Sequence, residues 1–458
     1  MTDEKTFLGT EPVGKLLFKL AVPAVVAQLV NMLYNIVDRI YIGHIPGSGS
    51  LALTGVGVCM PVIMIVTAFA SLVSSGGAPS ASISMGKGDY ESAERILGGC
   101  FSVQIVISAV LTAVLLCFNR SFLSAFGASR NTIGFATDYM NIYAAGTVFV
   151  QLTLGMNAFI TAQGKAKTGM MTVLIGALIN TVLDPVFIFK FGMGVKGAAL
   201  ATVISQAVSC AWVICFLCGK KSVLRLRFKN LSIKTSLVLP CLALGSATFI
   251  MQASESVLSV CFNSSLLKYG GDIAVGAMTI LTSVMQFALL PLQGIGQGAQ
   301  PVSSYNYGAG NAPRVKKTFS LLLASCVVFS FVLWIVLMAR PQSFAFIFTS
   351  DAELVDFTAK ALRLYGAALV LMGVQVACQM TFVSIGNTKC SIIVAVVRKF
   401  VLLIPLIFIV PLFTADRTSG VYLAEPVADV IAVTFTAILF AVQFKKALRP
   451  LEKKTDAS

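Results

Sequence analysis

The segment GGAPSASISMGKGDYESAERI, residues 76–96, returns without gaps as GAQPVSSYNYGAGNAPRVKKT, residues 298–318. The identical pairs, all 222 residues apart, are Gly76 and Gly298, Pro79 and Pro301, Ser82 and Ser304, Gly86 and Gly308, and Gly88 and Gly310. At the same spacing, Tyr143, Gly164 and Lys167 match Tyr365, Gly386 and Lys389. A repeat of this length predicts two related halves of about 220 residues each.

The chain around these segments is strongly apolar. Of its 458 residues, 57% are hydrophobic and 12% are charged, and its mean hydropathy is +0.88; a soluble domain carries roughly 25% charged residues. Apolar runs long enough to cross about 30 Å of hydrocarbon recur from end to end. We predict an all-α integral membrane protein with twelve spans at 15–42, 52–78, 93–117, 135–160, 167–189, 195–218, 237–266, 273–300, 316–338, 357–383, 391–413 and 420–444.

The distribution of positive charge predicts the orientation. Each half holds six spans, an even number, so the two repeats are parallel and are related by an axis along the membrane normal. Most Lys and Arg residues fall on the side that holds both termini, which predicts that this side is cytoplasmic. The predicted units are an N-lobe (1–218), a basic cytoplasmic linker (219–235), a C-lobe (236–444) and a cytoplasmic tail (445–458). We expect the basic clusters Lys220–Lys234 and Lys445–Lys454 to lie against anionic lipid headgroups.

A carboxylate lies inside the fifth predicted span. Asp184 follows Asn180 by four residues and precedes Pro185, and an ionised carboxylate at this depth costs about 3 kcal/mol. Asn180 and Asp184 share one helical face, and Pro185 weakens the helix beside them. Together with Asp38 from the first span and Thr202 from the sixth, they predict an oxygen-lined pocket for Na⁺ or a proton. The alternative is a buried polar cluster that only fixes helix packing.

Three further acids lie in predicted spans of the second half: Glu255, Glu425 and Asp429. Glu255 is the counterpart of Asp38, since each follows a proline by 15 residues. A carboxylate at low dielectric attracts a cation strongly, so these acids are candidates to receive a cationic substrate or to take part in coupling. The alternative is that Arg398 or Lys399 neutralises them.

The run PLQGIGQGAQP, residues 291–301, places three Gly, three Gln and two Pro within one predicted span. Interrupted helices at membrane depth line protein or water. We therefore predict an interrupted helix in the cavity wall, with hinge or lining roles for Gln293, Gln297, Gln300 and Pro301, and for Pro185 in the other half.

Other classes of function find little support. The eleven cysteines and the single histidine, His44, have no metal-ligand or disulfide spacing, so no metal site is predicted beyond Na⁺ at the pocket above. GTEPVGKL, residues 9–16, has the spacing of a phosphate loop, but Leu16 replaces the hydroxyl residue that would hold magnesium. We predict no cofactor, no nucleotide and no nucleic acid, and a membrane-embedded enzyme is disfavoured because no nucleophile–base constellation is evident.

Several of these stretches resemble the multidrug and toxic compound extrusion (MATE) family. They are NMLYNIVDRIYIGH (31–44), GAPSASISMGKGD (77–89), NTVLDPVFIF (180–189) and QGIGQGAQPVSSYNYGAGN (293–311). The sequence EPVAD (425–429) is similar to the MepA-like branch of that family.

The resemblance implies two six-helix lobes that form a V. It implies export of small amphipathic organic cations and drugs in exchange for Na⁺ or protons by alternating access. We expect a monomer in the bacterial cytoplasmic membrane. The resemblance also implies a cation site at Asp38, Asn180, Asp184 and Thr202, and in some branches a role for Glu255. Some branches use an acid in the tenth span, which here has no carboxylate after Asp356.

One alternative shares the same superfamily, a flippase for lipid-linked oligosaccharides. Such a protein is expected to line its cavity with basic residues that bind pyrophosphate. Arg398 and Lys399 keep this alternative open, whereas the acids of the first half disfavour it.

Overall fold

The computed structural model describes the backbone of residues 3–349 and 351–455, and the side chains of 6–349 and 351–452. Nearly all of this chain is helical. The helices are α1 Asp3–Thr10, α2 Val13–Gly43, α3 Gly49–Gly86, α4 Tyr90–Ala125, α5 Ile133–Ala145, α6 Thr147–Ala162, α7 Ala166–Pro185, α8 Val195–Cys218, α9 Thr235–Gly308, α10 Ala312–Ala339, α11 Pro341–Phe346, α12 Ala352–Tyr365, α13 Met372–Ser384, α14 Thr388–Val396, α15 Ile404–Ile409 and α16 Arg417–Thr455. Two π-helical turns, Val186–Lys190 and Val397–Leu403, continue α7 and α14.

The predicted twelve spans are present in this architecture. Nine described helical segments are long and apolar enough to cross a membrane, and two bent pairs, α5 with α6 and α12 with α13, add one span each. The 74 residues of α9 far exceed the 20 or so that cross a bilayer. Gly271, with φ +64°, breaks α9 into two spans at the connector that the sequence predicted.

The chain forms two lobes, each with its own apolar core. Phe159, Met156 and Tyr139 are buried in the first lobe, and Phe262 and Tyr422 in the second. The predicted segment boundaries at 218, 235 and 444 remain predictions, and residues 1–2, 350 and 456–458 lie outside the described chain.

Glycines allow the two lobes to touch backbone to backbone. A Cβ on Gly86 of α3 would lie 2.0 Å from the carbonyl oxygen of Tyr305, and a Cβ on Gly308 of α9 would lie 2.0 Å from that of Ile83. Gly308 follows Gly86 by 222 residues, and Tyr305 follows Ile83 by 222 residues. The same contact therefore occurs twice, related by the pseudo-two-fold axis. Only glycine permits so close an approach.

A second crossing of α3 and α9 extends this interface. A Cβ on Gly76 would lie 1.8 Å from the carbonyl oxygen of Cys241, and one on Gly245 would lie 1.8 Å from that of Leu72. The rings of Phe69 and Phe249 meet one turn further along, with centroids 4.9 Å apart.

The interface determines the shape of the molecule. The inter-lobe hydrogen bonds, ring contacts and glycine contacts of the described residues all fall in the half of each span nearest the termini, with Gln28 at the midpoint of α2. The lobes therefore converge on the side of the termini and diverge on the opposite side. This is the V that the family resemblance implies.

The short helix α1, which the sequence analysis did not predict, bridges the two lobes at the closed end of the V. Phe7 packs against Gly164 of the first lobe. In the second lobe, the side-chain amide of Asn306 and the guanidinium of Arg314 donate to the carbonyl oxygen of Leu8 at 2.9 and 3.1 Å.

The linker between the lobes packs onto the first lobe. The side-chain oxygen of Gln163 accepts hydrogen bonds from the backbone N–H groups of Val223 and Leu224 at 2.8 and 3.0 Å. Glu94 accepts one from the N–H of Arg225 at 3.2 Å. The start of the linker is thus fixed to the N-lobe.

The predicted interruption at 291–301 is wrong, because α9 is helical through this run. Its glycines serve close packing instead: Gly294 lies against Val25, and Gly298 lies against Ala21 of α2. An unbroken helix also keeps its backbone groups paired within the bilayer, where no water replaces a lost hydrogen bond.

Candidate functional site

Four predicted residues of the N-lobe come together in a single cluster. The side-chain amide of Asn180 donates to Asp184 Oδ1 at 3.3 Å and to Thr202 Oγ1 at 3.4 Å. The carboxyl of Asp38 lies beside that of Asp184, where α2 packs against α7. Asp38 is 7% exposed and Asp184 is fully buried. Helices α2, α7 and α8 therefore bring these oxygen atoms together at membrane depth.

The two acids of this cluster form no salt bridge with any described side chain. Among the side chains of 6–349 and 351–452, no Lys, Arg or His forms a salt bridge with Asp38 or Asp184; the adjacent Arg39 donates instead to the sulfur of Met60 at 3.4 Å. Three buried oxygens of this cluster have no hydrogen-bond donor within the described chain: Asp38 Oδ1, Asn180 Oδ1 and Asp184 Oδ2. Buried charge is normally paired, and acceptors without a donor suit a proton or a small cation.

Tyr34 and Tyr139 lie beside the acids, and Tyr143 lies beside both of these tyrosines. Tyr139 and Tyr143 are buried, with stacked rings whose centroids lie 6.3 Å apart, and Tyr34 lies near both carboxyls. A signal for Tyr34 was available, because it precedes Asp38 by four residues and so shares its helical face.

Pro185 ends α7, and the π-helical turn Val186–Lys190 follows it directly. The predicted weakening of the helix beside Asp184 therefore corresponds to a change of helix type. Such π-helical turns are frequent at functional sites.

The three acids of the C-lobe also come together, but with basic partners. Arg398 donates to Asp429 Oδ1 at 2.8 Å and to Glu425 Oε1 at 3.3 Å. Lys399 donates to Glu255 Oε1 at 2.7 Å. Arg398 and Lys399 thus pair with these acids, which is the alternative raised from the sequence. Both basic side chains are engaged by acids rather than available to a pyrophosphate, so the contacts give the flippase alternative no support.

The two clusters occupy equivalent places. Each draws on the first, fifth and sixth spans of its lobe and lies beside a π-helical turn. They differ in charge: the N-lobe cluster holds two acids, Asp38 and Asp184, whereas the C-lobe cluster holds three acids and two bases. The repeat therefore has the same architecture in both lobes and different electrostatics.

The polar residues of 291–301 differ in exposure, and Gln297 contacts the other lobe. The side-chain amide of Gln28 donates to Gln297 Oε1 at 3.1 Å across the lobes, and Gln293 is exposed, whereas Gln300 is half-buried. Pro301 is buried, and its carbonyl oxygen accepts a hydrogen bond from Ser82 at 3.3 Å. Gln28 and Gln297 thus form part of the floor of the V.

The profile of the MatE family matches this chain twice, over residues 23–186 and 247–409, which together exceed half of its length. Each match lies within one of the two repeats. The internal repeat found in the sequence therefore coincides with the repeat unit of the family.

Curated relatives and solved structures agree with this match. The chain is 25% identical over 410 residues to the multidrug export protein MepA of Staphylococcus haemolyticus (strain JCSC1435), covering 89% of this chain and 90% of the relative. It is 32% identical to the solved MATE multidrug transporter DinF-BH, with 96% and 98% of the two chains covered and a TM-score of 0.88. The outward-facing conformation of a multidrug resistance MATE family transporter superposes with a TM-score of 0.91 at 22% identity, covering 98% and 99% of the two chains.

Proposed function

Because this chain belongs to the MatE family of multi-pass membrane transporters, and is not an enzyme, we propose that it exports small amphipathic organic cations and drugs in exchange for Na⁺ or protons. The names of its relatives, a multidrug export protein and a multidrug transporter, support the cargo. We also propose that it works as a monomer in the bacterial cytoplasmic membrane with both termini in the cytoplasm, as the positive-inside rule favours.

The unpaired acids Asp38 and Asp184 are the observation that carries this proposal. Two carboxyls that face each other in a buried site cannot both remain ionised easily, so they favour the uptake of a proton or a cation. Four oxygen-bearing side chains, with those of Asn180 and Thr202, are available to hold it.

The shape of the molecule supports an alternating-access cycle. With the termini in the cytoplasm, the V is open to the outside. An ion that binds at Asp38 and Asp184 from outside weakens substrate binding, the substrate leaves, and the lobes then rock to release the ion inside. Coupling of this kind is reciprocal, so bound substrate weakens ion binding by the same factor.

Gradient-driven uptake into inside-out vesicles tests the proposal. A fluorescent organic cation is followed under an imposed Na⁺ or pH gradient for the parent and for Asp184→Asn. We expect Asp184→Asn to lose at least tenfold in gradient-driven uptake. The matched control is Asp138→Asn, which removes an exposed acid of the same lobe that pairs with Lys196 at 3.5 Å; this variant should behave like the parent. Uptake by Asp184→Asn equal to that of the parent at equal expression would refute the coupling.

A further inference from the structure

The aromatic ring of Phe228 projects from the linker between the lobes. Phe228 begins a single 3₁₀ turn, Phe228–Asn230, and is 95% exposed. The residues on either side of it, Arg227 and Lys229, are exposed bases. A single exposed apolar residue is common on a protein surface, so the position of this ring relative to the membrane decides what it does.

The linker is held along the side of α4. Arg227 pairs with Glu94 at 3.3 Å. The carbonyl oxygen of Asn230 lies against Gly98, where an added Cβ would be only 2.2 Å away. Phe228 is therefore held between the levels of Glu94 and Gly98 on α4.

These levels lie at the edge of the hydrocarbon. The 36 residues of α4 extend about 54 Å. The hydrocarbon core is about 30 Å thick, so about 12 Å of a centred α4 lies outside it at each end. Gly98 follows Tyr90, the first residue of α4, by about 12 Å along the helix axis. The ring of Phe228 thus lies in the headgroup region, next to the acyl chains.

The charge of the linker complements an anionic surface. Residues 219–235 contain six Lys and Arg residues and no Asp or Glu. Four lysines of this segment are exposed: Lys220, Lys221, Lys229 and Lys234. Bases beside a membrane attract anionic headgroups, and an aromatic ring at the same depth is typical of an interfacial anchor.

We propose that the linker binds anionic phospholipid at the membrane surface. The ring of Phe228 inserts beside the acyl chains, and the four exposed lysines bind the phosphates of the headgroups. The sequence predicted that this basic cluster lies against headgroups; the structure adds an inserted ring and a fixed place for it. Because the linker is attached to α4, the lipid anchors the N-lobe and holds it at a set depth in the membrane.

Tryptophan fluorescence tests the position of the ring. Full-length protein with Phe228→Trp, in which Trp212→Phe and Trp334→Phe remove the two native tryptophans, is reconstituted into vesicles of equal parts phosphatidylcholine and phosphatidylglycerol. Bromines on the acyl chains near the headgroup should quench this tryptophan. Acrylamide in the water should quench it at least threefold less than it quenches Lys87→Trp in the same background.

Lys87→Trp is the matched control for depth. Lys87 is an exposed residue of the connector between α3 and α4, at the same end of α4 as the linker. Its tryptophan should be quenched by acrylamide and should resist the brominated lipid.

A comparison of the two lipids tests selection by charge. The vesicle composition is kept constant, and the bromines are carried either by phosphatidylglycerol or by phosphatidylcholine. Quenching of Phe228→Trp should be at least twofold stronger when phosphatidylglycerol carries them, because the lysines enrich this lipid around the ring. Replacing the four lysines by glutamine should bring this ratio to one. Glutamine at Lys445, Lys446 and Arg449 of α16, which removes charge elsewhere on the same side, should leave it unchanged.

Three results would overturn the inference. Acrylamide quenching equal to that of Lys87→Trp would place the ring in water. Protection from both quenchers would mean that protein rather than lipid covers it. A ratio of one in Phe228→Trp itself would mean that the lysines select no anionic lipid. Should the fourfold lysine variant not fold, the two quenchers and the lipid ratio of Phe228→Trp still decide the outcome. None of these readouts measures transport, so a failure here leaves the proposed export untouched.

Discussion

Arg314 of α10 donates a hydrogen bond from its guanidinium to the backbone carbonyl oxygen of Glu11 at 2.6 Å. The same side chain holds the carbonyl oxygen of Leu8 and is itself positioned by Asn306, whose oxygen accepts from Nε at 2.9 Å. Since α1 also packs on Gly164 of the first lobe, this arginine ties the N-terminal segment, and with it both lobes, together at the closed end of the V.

Replacing Arg314 by Ala should favour opening at this end. Hydrogen bonds from a charged donor contribute about 2 kcal/mol each, so the population of the conformation open towards the termini should rise more than tenfold. The buried thiol of Cys241 at the inter-lobe contact reports such an opening, and its modification by N-ethylmaleimide can be followed by peptide mass spectrometry. Lys316→Ala, which removes an exposed partner of Glu452, is the control. An unchanged rate of Cys241 modification in Arg314→Ala would mean that the arginine does not hold the lobes closed.

Adding a methyl group at either copy of the glycine contact should separate the lobes. Gly86→Ala and Gly308→Ala each place a Cβ 2.0 Å from a carbonyl oxygen of the other lobe. Overpacking of this kind destabilises by about 1–3 kcal/mol, and we expect both variants to lower the melting temperature by several degrees and to reduce transport to a similar extent. Gly57→Ala is the control, because its Cβ would meet nothing within 4 Å. Wild-type stability in both variants would contradict the close contact.

Two thiols face each other across the lobe interface. Cys100 of α4 and Cys241 of α9 are both buried in one apolar cluster, where the two side chains lie beside each other. Oxidation with copper phenanthroline should join them and stop transport, because the lobes could then no longer part at this end, and dithiothreitol should restore it. Cys100→Ser and Cys241→Ser should each be insensitive to the oxidant. Inhibition that persists in both serine variants would place the effect at another cysteine.

Asp89 caps the N-terminus of α4 in the connector between the second and third spans. The backbone N–H of Ser92 donates to its carboxylate at 2.9 Å and holds the pKa of that carboxyl below its ordinary value. A depressed pKa stabilises the folded state above the ordinary pKa, and this contribution disappears as the pH falls through the folded-state value. Asp89→Ala should therefore destabilise by about 1 kcal/mol at neutral pH, and the difference from the parent should vanish in acid.

The repeat supplies the control for this cap. Asn311, at the equivalent position of the second half, caps α10 by accepting from the N–H of Arg314 at 3.1 Å. Asp89→Asn should therefore keep most of the stability at neutral pH. Thermal melts of detergent-solubilised protein at pH 7 and at a pH well below the ordinary carboxyl pKa check both variants; equal melting temperatures for Asp89→Ala and the parent at pH 7 would refute the role of the cap.

The repeat and the spans could be predicted from the sequence because membrane crossing imposes length and polarity on each helix. Family membership, too, is confirmed. Helix α1 was missed because its eight residues are too few for a clear periodic signal. The wrong prediction of an interruption at 291–301 has another cause. A glycine in a helical pattern indicates either a break in the helix or a closely packed neighbour, and only the position of α2 distinguishes these two possibilities.

The N-lobe cluster could be predicted from the sequence, because Asn180 and Asp184 lie one helical turn apart and the repeat aligns Asp38 with Glu255. The pairing in the C-lobe could not be decided. Arg398 and Lys399 lie in the π-helical turn Val397–Leu403, which changes the angular spacing of successive side chains. Regular α-helical periodicity therefore does not predict that Arg398 faces α16 and that Lys399 faces α9.

The duplicated contact of Gly86 with Tyr305 and of Gly308 with Ile83 has an evolutionary consequence. Each lobe contributes an equivalent glycine and an equivalent carbonyl to the contact. This is the self-complementary arrangement of a two-fold homodimer. A single-lobe ancestor that dimerised in parallel would have formed both contacts at once from one gene. The present halves differ in the charges of their two clusters, whereas the glycines at the interface contact equivalent carbonyls in both.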